Sequence, residues 1–135
     1  MGGWGTGSFE NDDAMNWLSR LAAIGPADLA KIFMQAADDP AYLEAPAASI
    51  VVAAGEVLAA LNGSPAPGAP PPAIDEWLKK YPRISTPELN VLAVRALERV
   101  RRDSELKDLW MEADGLNDWT AGIRDLQARL GSTSP

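Results

Sequence analysis

Apolar positions along this chain recur in steps of three and four, and no run alternates with the two-residue period of a half-buried strand. Ala14, Trp17, Leu18 and Leu21 form the first series. It follows Asn11 and Asp12, either of which can accept from a free N–H of a first turn, with Glu10 and Asp13 beside the positive end of the helix dipole. The spacing predicts a helix from Asp12 to Ile24, stopped by Gly25-Pro26. Pro26 suits the first turn of a second helix, where its missing N–H costs nothing. The stripe there is Leu29, Ile32, Phe33 and Ala36, closed by Asp38-Asp39-Pro40. After a connection through Tyr42 and Leu43, Pro46 to Leu61 is apolar on nearly every side. It predicts a central helix whose small residues let neighbours approach, ended by Asn62-Gly63.

Residues 62–73 read as a loop, because the proline-rich run at 64–72 suits extended backbone and neither helix nor paired strand. Asp75, Glu76, Trp77, Leu78 and Tyr81 predict a short helix ended by Pro82. Ser85-Thr86-Pro87-Glu88 starts another: Ser85 with Glu88 makes a capping box, or Thr86 caps with Pro87 at the first helical position. Its stripe is Leu89, Leu92, Ala93, Ala96, Leu97 and Val100. Arg95, Glu98, Arg99, Arg101 and Arg102 lie on or near the other side, read as a solvated face on which Glu98 pairs with Arg95 and Arg102. Asp103-Ser104 opens a helix carrying Leu106, Leu109, Trp110 and Ala113 up to Gly115. The last begins at Asn117 with the seam Trp119, Ile123, Leu126, Leu130, ends at Gly131, and leaves residues 132–135 frayed. The expected fold is all-α, one irregular bundle of six to seven short helices over residues 1–135 with a glycine-rich arm at 1–11. Trp17, Trp77, Trp110 and Trp119 each sit on a stripe and read as core.

The arm carries a distinctive pattern, W-G-x-G-x-F-x-N-D-x-A followed by W-L, in Trp4, Gly5, Gly7, Phe9, Asn11, Asp12, Ala14, Trp17 and Leu18. With the alanine-rich helix bearing Glu56 and the stretch Ser104 to Trp110, this resembles a family of small bacterial proteins known only as a domain of unknown function. The resemblance brings no activity and no catalytic residues with it. Trp4, outside any helix, reads as a plug beneath the arm, with a recognition surface as the other reading. Phosphate binding by the glycines is rejected: no strand precedes them, no lysine follows, and the helix start already holds carboxylates.

The absence of cysteine and histidine from the 135 residues removes disulfides, thiolate and imidazole metal sites, Ser-His-Asp triads and Cys-His nucleophiles. An oxygen-only site at Glu10, Asp12 and Asp13 would suit calcium or magnesium, but capping is the expected use of those acids, and neither metal nor cofactor is expected. A net charge of −7 argues against nucleic acid or an anionic membrane as partner. Residues 1–78 hold ten acids against only Arg20 and Lys31, so the acidity lies in the first half. No basic region followed by a long apolar run opens the chain, and the expected location is cytoplasmic.

Glu56 is the one charge in the central helix and needs exposure, a partner or a proton there. A buried ion pair with Arg95 or Arg99 is the expected arrangement. These features point to a non-enzymatic acidic module, inhibitor-like or immunity-like, that binds another protein or its own copy through Trp4, Phe9, Glu10, Asn11, Asp12 and Asp13. The alternative is a carboxylate- or magnesium-dependent hydrolase or lyase using Glu56 or Asp12/Asp13.

Overall fold

A computed structural model describes residues 12–38, 41–65, 71–81 and 86–132, which form seven α-helices and no strand. They are α1 (Asp12–Leu18), α2 (Pro26–Asp38), α3 (Ala45–Leu61), α4 (Pro72–Lys80), α5 (Pro87–Arg102), α6 (Glu105–Glu112) and α7 (Leu116–Ser132). The fold is therefore the all-α bundle that the periodicity predicts. The arm at 1–11, Asp39-Pro40, most of the proline run, Ser85 and the last three residues lie outside the described residues.

The core is organised around α3, which touches each of the other six helices. From Val51 to Ala59 every residue of it is buried, because a helix apolar all round satisfies itself only when surrounded. The other helices each bring one stripe: Ala14, Trp17 and Leu18 from α1, Leu29 and Phe33 from α2, Ile74 and Trp77 from α4, Ala93, Ala96, Leu97 and Val100 from α5, Trp110 from α6, and Trp119, Ile123, Leu126 and Leu130 from α7. All four tryptophans assigned to stripes are buried.

Several boundaries differ from the sequence reading. The first helix stops at Leu18 rather than Ile24, and a 3₁₀ turn over Leu21–Ala23 follows. That tighter turn still delivers Leu21 to the core, so the apolar pattern survives the break. Asp28 then reaches back to the Gly25 N–H at 2.8 Å and satisfies a donor at the start of α2. The loop assigned to 62–73 is shorter than expected, since Pro72 and Ala73 belong to α4: a proline is harmless in a first turn. The last helix begins one residue early and runs through Gly131 to Ser132. Ala113, expected on the α6 stripe, is exposed as the cap of that helix.

Two helix ends show how the chain reverses. Asn62 caps α3, Gly63 follows with φ 88°, and the N–H groups of Gly63 and Ser64 return to the carbonyls of Ala60 and Ala59. After α6 the same pattern places Asp114, not glycine, in the left-handed region at φ 60°. Gly115 comes next, where an added Cβ would lie 2.6 Å from the Trp110 ring. Its missing side chain is what lets the indole fold over the turn.

Candidate functional site

Glu56 points from α3 toward α7, and Arg129 meets it with two parallel hydrogen bonds of 2.9 and 3.0 Å. Side-chain exposure is 7% for the glutamate and 16% for the arginine, so the pair is largely withdrawn from water. Arg129 also donates to the Ser64 carbonyl and to Asp125. Burial works against its charge, but the hydrogen bonds and charge of Glu56, with those of Asp125, outweigh it and hold its pKa above the ordinary guanidinium value.

This partner differs from the expected Arg95 or Arg99. On α5, Ala93, Ala96, Leu97 and Val100 take the core-facing positions, which turns the two arginines toward α2. Arg95 pairs with Asp38 at 3.2 Å on the surface. Arg99 donates to the carbonyls of Ala36 and Ala41 and lies 3.8 Å from Asp103. Only 14% of its side chain is exposed, so this part of the basic face is not solvated as expected. Glu98 takes Arg101 and Arg102 rather than Arg95. Hydrogen bonds from Arg101 and then Gln127 hold its carboxyl below the usual range, against a smaller effect of burial.

Beside the buried pair, Asn62, Thr86 and Asn90 bind one another where α3 ends and α5 begins. Asn90 also donates to the Leu130 carbonyl of α7 at 2.9 Å. Thr86 stands at the cap position of α5 with Pro87 in the first turn, as expected, but its hydroxyl donates to Asn90 and makes no cap bond. These hydrogen bonds tie the end of α3 and the start of α5 to the last turns of α7.

A second polar arrangement ties the α2–α3 connection to the start of α6. The Leu43 carbonyl accepts from the Glu105 N–H, and the Glu105 carboxylate accepts from the Ala45 N–H at 2.8 Å. One acid thereby serves the first turn of another helix. The Tyr42 hydroxyl donates to Asp108. That hydrogen bond, then partial desolvation, then the charges of Asp108, Glu105 and Asp103 push the phenol up to about 12. Ser104 caps α6 by accepting from the Lys107 N–H, as its position predicts.

The same connection forms one end of an open cleft between α1, α2 and α3. Its volume is about 360 Å³, and Trp17, Ile32, Gln35, Ala36, Leu43, Ala47, Ile50 and Val51 line it. Gln35 is the one polar side chain in that lining, and none of the eight titrates near neutral pH. Sequence reasoning missed this cleft. Spacing held no signal for it: Ile32 lies on the α2 stripe and Ile50 in a helix apolar on nearly every side, yet both are half-buried.

Of the proposed contact residues, Trp4, Phe9, Glu10 and Asn11 lie outside the described residues. Asp12 and Asp13 stand in the first turn of α1, exposed and half-buried, and Trp17 of the cleft follows Asp13 one turn later. Among the described residues no group of three or more His, Cys, Asp or Glu is placed to hold a metal ion. No described helix is long and apolar enough to cross a membrane.

These features define an all-helical domain with a structural ion pair inside and an apolar cleft on its surface. The chain belongs to a family described as a domain of unknown function, DUF4259, whose pattern matches residues 2–122. Comparison with curated proteins and with solved structures gave no match.

Proposed function

We propose that this protein is a non-enzymatic binding module that engages another protein through the surface around its N-terminal arm and first helix, in the manner of an inhibitor or immunity protein. The observation that carries this reading is the open cleft walled by Trp17 of α1, apolar and without a titratable side chain. A pocket without convergent acids, bases or nucleophiles suits the side chains of a partner better than a reacting substrate. The acidity of the first half favours a basic partner and would speed encounter with it. The hydrolase alternative draws no support from Glu56, both of whose oxygens are engaged by Arg129.

The test is capture of partners by the tagged, mildly cross-linked protein, compared with Trp4→Ala and with Ala47→Trp, which places an indole in the cleft. One near-stoichiometric partner, lost in both variants while they remain folded, supports the reading. Neutralising Glu10, Asp12 and Asp13 together should slow association about tenfold at low salt. Undiminished capture by both variants, or an unchanged association rate, overturns this placement of the site.

A further inference from the structure

We propose that the cleft between α1, α2 and α3 receives the apolar face of a basic amphipathic helix, whose Lys or Arg side chains rest on an acidic rim formed by Glu44, Glu105 and Asp108 beside Tyr42. The inference rests on the protein-binding reading above and gives the partner its chemistry.

The cleft floor is built for apolar anchors. Its lining has one amide, Gln35, and lacks the converging polar groups that orient a small polar ligand. The volume of about 360 Å³ accommodates two or three aliphatic side chains, as a helix presents at i, i+3 and i+4.

Charge is concentrated at one end. Leu43 lines the cleft between Tyr42 and Glu44 in sequence, and its carbonyl holds the N–H of Glu105. Asp108 is held at the same place by the Tyr42 hydroxyl. Glu105 and Asp108 are thereby fixed beside the Leu43 backbone, with exposed Glu44 next in sequence. The Asp108 hydrogen bond and desolvation raise the Tyr42 pKa, and the charges of Asp108, Glu105 and Asp103 add to them. Asp103 has Arg99 nearby. Arg99 at the Ala36 and Ala41 carbonyls, Lys107 on α6, and Lys31 one turn before Gln35 on α2 are the opposing charges, three against the four acids Glu44, Asp103, Glu105 and Asp108. Tyr42 is 54% exposed, so its ring offers an aromatic face to a cation that the carboxylates attract. A helix with Leu or Ile on one side and Lys or Arg beyond them meets both halves of this surface. An acidic or purely apolar segment meets only one.

The test uses the full chain and two synthetic helical peptides of about fifteen residues, with Leu on one face and either Lys or Glu on the other. Binding is followed by NMR shifts of the Trp17 indole and the Ile32 and Ile50 methyls. The Leu/Lys peptide is expected to shift these signals and the Leu/Glu peptide to leave them unmoved. Ala47→Trp should abolish the shifts. Glu105→Gln with Asp108→Asn, which keeps the hydrogen-bonding atoms, should weaken binding about fivefold at low salt. Equal binding of both peptides, shifts confined to another face, or no binding of the Leu/Lys peptide overturns the inference. If that peptide fails while wild type still captures a partner that Ala47→Trp loses, this inference alone falls. If capture fails as well, the reading beneath it falls too.

Discussion

Removing the Arg129 guanidinium strands a carboxylate among Val52, Val57 and the other buried residues of α3. Breaking a buried pair from one side costs about 3–5 kcal/mol, so Arg129→Ala should lose that much by urea unfolding. Arg95→Ala, which cuts an exposed pair with Asp38, should stay within about 1 kcal/mol. Equal losses would mean that Glu56 does not depend on Arg129. The need for a partner was legible in the sequence, since one acid in an apolar helix must be answered. Its identity was not: Arg95 and Arg99 belong to the conspicuous basic group, whereas Arg129 is a single arginine 73 positions from Glu56, beside the α7 seam. Choosing between them required the packing order of α5 and α7 about α3. Tyr42 makes a separate case, with a pKa near 12 in the fold against about 10 in an unfolded chain. Its contribution to stability is therefore complete below about pH 10 and is lost as pH rises toward about 12. Asp108→Ala should bring the midpoint of the Tyr42 ring carbon signal down toward about 10, with the alkaline loss of stability correspondingly reduced.

Elements were legible wherever a stripe and a stop signal coincided, and α2, α3 and α5 lie close to their expected spans. The break after Leu18 was not, because Leu21 continues the spacing of α1 and a 3₁₀ turn can carry the same residue inward. Nor was the role of Glu105, whose carboxylate serves the first turn of α3 sixty residues earlier. The turn from α6 to α7 offers a paired test of local geometry. Gly115→Ala drives a methyl into the Trp110 ring and should cost about 1–3 kcal/mol. One residue earlier, Asp114→Gly removes a side chain from a left-handed position and should gain about 0.5–1 kcal/mol. Thermal unfolding of the two variants should therefore shift in opposite directions; shifts of the same sign would contradict this account of the turn.

At the scale of the molecule, α3 is buried on every side from Val51 to Ala59 and depends there on all its neighbours at once. The candidate cleft escaped the sequence reading for a related reason: a half-buried Ile32 or Ile50 has the same spacing whether or not another helix covers it. Exposure is a property of the assembled surface. The Glu56–Arg129 contact also fixes where this domain can be cut. The match to the family runs to residue 122, yet Ile123, Leu126, Arg129 and Leu130 supply part of the interior beyond that point. A chain ending at residue 122 should lose near-UV circular dichroism and slow amide exchange, whereas one ending after Ser132 should keep both. The stretch matched in sequence is thus shorter than the packed interior, and expression or grafting of this domain has to keep α7 whole.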